Sequence, residues 1–439
     1  MRFLNSQNSR TFVFGALSLS ATLTAGVLLT ACWLFPKPDT TAPVILDVAA
    51  IVGSSSGSTA AGVHVFYNDG KGNLSVGPVL HASGVTSGYT DLALGNLTGH
   101  ATPSDDGSPV NDIFVTNDNI SPNEVWINNG NGTFTRDTNM PSTTYYSTGV
   151  VLGPISGNGL PDAFVVNDGA AAYAASGNTA GQGDTVYLNS TTIPGEFTVD
   201  GTQANLDTSS NMVMQSAGNA VAIGNLAPFD PSDKANGTDI FQANKNNSGN
   251  STQNYSWLNY SGNYSHSNQP LPATPSSYDV AIANLDNSGG DDVFLANYGQ
   301  ANVVYLNDGN NTTTSFLTPS EPFTADNSTG VALGDLDGNG TIDAFVVNSG
   351  SPDTVWSNDG TGTFSQITET AFAGMTDQGT GVALADLNGD GILDAVVSSG
   401  GSSGRIRVWL GKGNGTFTEV SEPKVPAGDY VSVKVGRIR

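Results

Sequence analysis

Apolar residues in this chain fall in short runs, many alternating with Ser, Thr or Gly, and clusters of Gly, Asn and Asp separate one run from the next. Short runs bounded by turn formers predict β-strands. The clearest stretch, GVALGDLDGNGTIDAFVVN at 330–348, returns 51 residues later as GVALADLNGDGILDAVV at 381–397. Looser copies place the position that follows the apolar run at Asn96, Pro154, Asn225 and Asn284. Each copy runs on into a hairpin, as in VWINNGNGTFT (125–135), VVYLNDGN (303–310) and VWLGKGNGTFT (408–418). Asn-Gly and Asp-Gly between β-branched and aromatic runs are strong hairpin signals. Four short strands per copy are expected.

Four antiparallel strands at this period describe one blade of a propeller. The two ends of the repeat region decide between a ring and an open stack. Residues 45–75 supply strands two, three and four of a unit, and DYVSVKVGRI (429–438) supplies a first strand with nothing after it. The expected fold is therefore all-β: a seven-bladed β-propeller over 44–439, closed by pairing of N- and C-terminal strands in one blade.

Composition sharpens this picture. The chain has 54 glycines, 12% charged residues and a formal net charge of −25, so its polarity comes mostly from Asn, Ser, Thr and Gly. An acidic surface repels phosphate backbones, which argues against nucleic acid as a partner. Residues 1–31 read as an export signal: Arg2 and Arg10 precede an uncharged stretch that ends in Leu29-Thr30-Ala31-Cys32. That ending resembles the lipobox of bacterial lipoproteins and implies a lipid on Cys32, with 32–43 as a tether. Twenty apolar residues could instead span a bilayer, but the interspersed Ser, Thr and Gly and the lone cysteine favour the lipoprotein. The expected location is a membrane-anchored position at the cell envelope or surface, as a monomer.

The repeated phrase also carries candidate chemistry. Oxygen side chains at alternate positions around glycines suit a hard cation, whose shell of about 2.3–2.6 Å needs several oxygens on a tightly turning loop. In the sixth unit these are Asp335, Asp337, Asn339 and Asp343, with the Thr341 carbonyl. The seventh has Asp386, Asn388, Asp390 and Asp394, with the Ile392 carbonyl. The fifth offers Asn284, Asp286, Ser288 and Asp292, with the Gly290 carbonyl. Three carboxylates on one turn repel without a cation, so Ca2+ is expected in the sixth and seventh loops, with a third site in the fifth. The third unit keeps one carboxylate, Asp162, and is expected to be metal-free. The second and fourth loops are stretched, with Asp105, Asp106, Asp230 and Asp233 within reach of a cation. In the first unit Arg437 and Arg439 fall where acidic ligands stand elsewhere, which puts a guanidinium near Asp47 in place of a metal.

GVALGDLDGNGTIDAFVV and its copies resemble the FG-GAP and VCBS repeats of integrin α-chains and bacterial surface proteins. That resemblance implies a seven-bladed propeller with calcium loops between the first two strands of certain blades, and binding or adhesion rather than catalysis. None of the four histidines (His64, His81, His100, His266) has triad or metal-ligand spacing. The expected function is a non-catalytic, calcium-stabilised surface adhesion protein whose partner is an extracellular or periplasmic protein or glycan. A lectin-like propeller and an envelope scaffold are the alternatives, with a glycan-active enzyme last. The calcium loops occupy one face, which leaves the opposite face, with its long loops at 136–147, 168–184, 200–217 and 245–254, for ligands.

Overall fold

The computed structural model describes residues 44–53, 60–83, 85, 87–99, 109–118, 121–142, 146–168, 184–200, 217–226, 239–245, 254–260, 263–266, 276–307, 316–317, 322–420 and 425–439. The export signal, Cys32, the tether, Asp105, Asp106, Asp230, Asp233 and most of three long loops (168–184, 200–217 and 245–254) lie outside the described residues. Every regular element among those described is a strand.

Successive units contribute strands in chain order. The first holds β1 (Asp47–Val52), β2 (Gly62–Asn68) and β3 (Leu74–Leu80). The second holds β4 (Tyr89–Gly95), β5 (Asp112–Asn117), β6 (Glu124–Asn128) and β7 (Phe134–Arg136). Next come β8 (Ser147–Gly153), β9 (Asp162–Asn167), β10 (Thr185–Asn189) and β11 (Phe197–Val199). They are followed by β12 (Ala217–Gly224), β13 (Asp239–Lys245), β14 (Tyr255–Tyr260) and β15 (Asn263–His266). The fifth unit has β16 (Ser277–Ala283), β17 (Asp292–Gln300), β18 (Val303–Asn307) and β19 (Phe316–Leu317). The sixth has β20 (Asp326–Gly334), β21 (Asp343–Asn348), β22 (Thr354–Asn358) and β23 (Phe364–Ile367). The last has β24 (Gly379–Ala385), β25 (Asp394–Ser399), β26 (Ile406–Gly411) and β27 (Phe417–Glu419), and the chain ends with β28 (Tyr430–Gly436).

These strands make an all-β propeller. Five sheets stand alone with four strands each, one of them ordered β28-β1-β2-β3. The fifth and sixth units share an eight-stranded sheet instead of standing apart. The cause is local: β17 runs on through Tyr298, Gly299 and Gln300, and a bulge there lets Tyr298 and Gln300 pair with Asn327 and Asp326 of β20. β28 lies antiparallel to β1, with Val48 opposite Val435 and Ala50 opposite Val433. Between successive units lie separate apolar clusters, for example Phe114, Val150, Tyr187 and Phe197 between the second and third. A further cluster joins the last unit to the first through Val48, Phe66, Val396, Val408 and Val433.

One buried polar device recurs at the same place in each unit. The second strand opens on an aspartate: Asp47, Asp112, Asp162, Asp239, Asp292, Asp343 or Asp394, all buried. In the sixth unit Asp343 Oδ2 accepts the N–H of Leu336 at 2.9 Å and of Asp337 at 3.2 Å, while Oδ1 accepts that of Asn358 at 2.9 Å. Asn358 then donates from Nδ2 to Ile342 O at 3.0 Å and, in the neighbouring unit, to Leu285 O at 2.8 Å. Its Oδ1 accepts the N–H groups of Gly360 and Gly362. The same amide clasp reaches back one unit from Asn189 to Leu97 O, from Asn259 to Ile155 O and from Asn307 to Leu226 O. Asn68 reaches Leu387 O in the last unit, and Asn128 reaches Ile438 O just beyond β28. The last unit has Gly411 in place of the asparagine, and the N–H of Gly415 takes over the bond to Leu336 O at 2.8 Å.

A second belt runs around the inner strands. Most carry a one-residue bulge, for instance between Ser328 and Gly330 and between Gly379 and Gly381, and a bulge turns its extra side chain sideways. That side chain reaches the next inner strand: Thr90 to Ser147 O, Thr329 to Gly379 O and Thr380 to Tyr430 O, each at 2.8 Å.

Asn358→Ala removes an amide that makes four side-chain hydrogen bonds, and at roughly 1 kcal/mol per buried bond the variant should lose about 3 kcal/mol of stability. Urea denaturation checks this, and a change under about 0.5 kcal/mol would show that the clasp does not hold the units together.

Candidate functional site

The metal-loop aspartates divide into two kinds. Asp343, Asp394 and Asp292 belong to the buried clasp, while the earlier loop carboxylates Asp335, Asp337, Asp386 and Asp286 are half-buried and Asp390 is exposed. In the sixth loop carboxylate oxygens of Asp335, Asp337 and Asp343 lie within 4.8 Å of one another, a cluster that could hold a metal ion. The glycines shape the turn: Gly338 and Gly340 have φ of 79° and 86°, a region that side chains with a Cβ avoid. Asp335 accepts the N–H groups of Gly338 and Gly340, and Ser357 Oγ donates to Asp337 Oδ2 at 2.7 Å. Asn339 Oδ1 accepts the Thr341 N–H at 2.7 Å, and Thr341 Oγ1 donates to Asn358 O.

The seventh loop keeps the same backbone through Gly389 and Gly391. Its carboxylates do not gather: the cluster of Asp335, Asp337 and Asp343 has no counterpart in Asp386, Asp390 and Asp394 among the described residues. Asp390 is drawn aside, with Oδ2 accepting from Asn388 Nδ2 at 3.0 Å and Oδ1 accepting the Ile392 N–H at 2.8 Å. In the fifth loop Ser288 donates to Asp286 from both N and Oγ, and Gly290 is buried beside Asp291. Asn287 takes the left-handed turn, φ 58°, that Gly338 and Gly389 take in the other loops. Asn284 Oδ1 is buried without a hydrogen-bond partner, which fits a position that ligates a cation.

Burial pushes the clasp carboxyls up, Asp343 and Asp394 to about 6 and Asp292 to about 7, and the neighbouring loop carboxylates add to the effect. A divalent cation would reverse that shift by favouring the charged form. The first unit shows an internal substitute. Arg439, rather than Arg437, brings its Nε within 3.3 Å of Asp47 Oδ2 and lies over the Tyr67 ring at 4.7 Å. Even so, burial holds the Asp47 carboxyl up at about 6.

A second candidate lies on the propeller axis, toward the face opposite the metal loops. A cavity of about 710 Å³ is walled by the inner strands and reaches Asp118, Lys245 and Asp429 at the starts and ends of the loops on that face. Equivalent positions on the inner strands make its character plain. Four residues before the strand end stand Gly149, Ala220, Gly330, Gly381 and Ser432, but also Asp91 and Asp279. Two residues before the end stand Ala93, Val151, Ala222, Ala281, Ala332 and Ala383, but also Lys434. Small residues are needed there because the strands crowd the axis: a Cβ on Gly330 would lie 3.0 Å from Gly381 Cα. Against that wall Asp91, Asp279 and Lys434 are exceptional.

These polar side chains are held in place. Ser432 Oγ donates to Asp91 Oδ1 at 2.7 Å, and the Val150 N–H donates to Asp91 Oδ2 at 3.2 Å. Asp279 accepts the N–H of Val280 on Oδ1 and that of Val331 on Oδ2, both at 2.9 Å. Although partly open to the cavity, Asp279 is desolvated by the walls, which push its carboxyl to about 6. The Lys434 ammonium opposes that shift and Asp91 adds to it. At the rim Tyr278 stacks on Tyr298 with ring centroids 4.9 Å apart. Ligand-by-ligand reading of the metal loops passed over this site. The signal was in the sequence all the same, as charged residues at positions that other copies fill with Gly, Ala or Val.

The FG-GAP-like repeat family matches residues 106–165, 284–346 and 335–397, so the chain carries FG-GAP-like repeats in a β-propeller arrangement. Cartilage acidic protein 1 of Mus musculus is 33% identical over 99 residues, which is 22% of this chain and 15% of that protein. The chain therefore matches only a small part of that relative's length. Among solved structures, a Lactobacillus plantarum protein aligns with a TM-score of 0.56 at 12% identity, covering 89% of this chain and 99% of the other. The periplasmic gluconolactonase of Pseudomonas aeruginosa aligns with a TM-score of 0.51 at 12% identity, over 90% of this chain and all of the other. These likenesses concern the fold. They nonetheless overturn the expectation of a non-catalytic adhesion protein, because a propeller with the same course over nearly the whole chain is named as an enzyme.

The two kinds of loop aspartate should separate on mutation. Asp343→Ala leaves three backbone N–H groups without their acceptor and removes a candidate ligand, so it should cost roughly 3 kcal/mol even in chelator. Asp335→Ala should cost only calcium-dependent stability, about 2–3 kcal/mol at a hundredfold excess of calcium over its Kd. Thermal melts in chelator distinguish the two, and an equal loss of stability there in both variants would contradict the division.

Asp279 gives a stability signature with a defined sign. Its carboxyl titrates near 6 folded against 3.8 as a free side chain. The cost of ionising it in place is therefore absent below about pH 4, grows through pH 6 and is complete above that. Asp279→Asn should stabilise the protein by roughly 2 kcal/mol at pH 8 and by nothing at pH 4. A pH series of denaturation curves that showed the reverse order would refute the assignment.

Proposed function

We propose that the protein is a calcium-braced, seven-bladed propeller that hydrolyses a small cyclic ester in its axial cavity. Seven blades follow from treating the eight-stranded sheet as two units bridged by two residue pairs. The apolar cluster between the last unit and the first, together with the β1–β28 pairing, supports a closed ring. Ca2+ suits the loop of Asp335, Asp337, Asn339, Thr341 and Asp343, and its counterparts from Asp386 and Asn284, because a flexible cage of protein oxygens favours the larger ion over Mg2+.

The observation that carries the hydrolytic reading is Asp279, a desolvated carboxylate facing an ammonium within a closed wall of small residues. A carboxylate that titrates near neutrality is suited to general-base work. In this reading Asp279 takes a proton from water as the water oxygen bonds to the acyl carbon. The Lys434 ammonium answers the negative charge that develops on the carbonyl oxygen. The ring C–O bond then breaks and the departing oxygen receives the proton. Asp91, fixed by Ser432 and Val150, adds a second negative charge near Asp279. The lactonase named among the fold neighbours makes a lactone the first substrate class to try.

The full-length protein with glucono-δ-lactone should release acid above the buffer rate in a pH-stat. Asp279→Asn should lower kcat at least 100-fold while melting at or above the wild-type temperature. An unchanged rate in that variant, or no rate in the wild type, would remove the hydrolytic reading.

A further inference from the structure

Resting on that hydrolytic reading, we propose that the cavity is built for an uncharged lactone and electrostatically expels the acid it produces. The charged side chains on its wall, among the described residues, are Asp91, Asp118, Asp279 and Asp429 against Lys245 and Lys434. No arginine or histidine joins them. At depth Asp279 has the Lys434 ammonium and the Asp91 carboxylate as its neighbouring charges. Nearer the mouth Asp118 is answered in part by Lys245, while Asp429 is held by the Gly401 N–H at 2.6 Å. The wall thus keeps an excess of two negative charges, inside a molecule whose net charge is −25.

Such a wall treats the two ends of the reaction differently. An uncharged cyclic ester enters without repulsion and can lie against the Tyr278–Tyr298 pair at the rim. Hydrolysis adds one water: its oxygen bonds to the acyl carbon, the ring C–O bond breaks and the ring oxygen leaves as a hydroxyl. The carboxylic acid formed loses its proton to solvent and becomes an anion next to Asp91 and Asp279. Like charges at short range disfavour that complex. A substrate that already carries a phosphate meets the same opposition on the way in.

The test uses the full chain with glucono-δ-lactone, its 6-phosphate and gluconate as probes at low ionic strength. The uncharged lactone should exceed the phosphorylated one in kcat/KM by at least about tenfold, and gluconate should inhibit with a Ki at least about tenfold above the lactone KM. Both ratios should narrow several-fold in Asp118→Asn/Asp429→Asn. They should narrow likewise in the wild type when salt is raised, which needs no mutation and so is independent of the variant's folding. Equal or better hydrolysis of the phosphorylated lactone, a gluconate Ki at or below KM, or ratios indifferent to salt would overturn the proposal while leaving the hydrolytic reading in place. If neither lactone is hydrolysed above background, the hydrolytic reading falls and the selectivity falls with it.

Discussion

A buried carboxylate whose oxygens are met by backbone N–H groups is the constraint around which each unit is arranged. Taking Asp343 out of water is tolerable only because backbone N–H groups of its own loop and of the third strand converge on its two oxygens. That convergence fixes where the first strand ends, where the second begins and where the third must stop. The asparagine at that stop spends its amide on the carbonyl of the preceding unit, so the geometry inside one sheet also sets its distance from the next. Apolar clusters between sheets supply most of the burial, but they are not directional. The clasp selects one stagger out of the many that greasy faces allow.

The inner strands therefore have two ends with different freedoms. At the clasp end the aspartate and the asparagine are tied to their neighbours by specific bonds, and substitutions of those two disturb folding before they change chemistry. At the bulged end, the stitching uses the extra residue, Thr90, Thr329 or Thr380, and leaves the adjacent position limited only by crowding on the axis. Glycine or alanine satisfies that limit, and so does a side chain that points along the cavity. Asp91, Asp279 and Lys434 exploit this freedom. Polar chemistry collects on the axis because that is where the repeat is structurally permissive, while the metal loops build upon the clasp at the other end.

Much of the architecture was legible in the chain. The 51-residue echo, the hairpin words and the first strand placed at 429–438 led to a propeller in which β28 pairs with β1. The guanidinium near Asp47 was also foreseeable from the arginines at ligand positions, although the residue that reaches it is Arg439. Other features were hidden by words with two meanings. Asn358 and Asn128 stand before Asp-Gly and Asn-Gly, so they read as turn residues, yet their amides hold adjacent units together. Asp343 reads as a cation ligand and is first a backbone acceptor. The joining of the fifth and sixth units turned on three residues at the end of β17, which no periodicity announces. The axial site is invisible within any one copy and emerges only when equivalent positions of all copies are compared.

Arg439 sets the join between β1 and β28 apart from the other seams. Elsewhere a cation for the cluster of Asp335, Asp337 and Asp343 would have to come from solution. Beside Asp47 the countercharge is part of the chain, so its local concentration is set by geometry and cannot be diluted. The Asp47–Arg439 contact therefore does not depend on any divalent ion in the medium. The β1–β28 pairing thus carries a fastening of its own, made as the two strands meet.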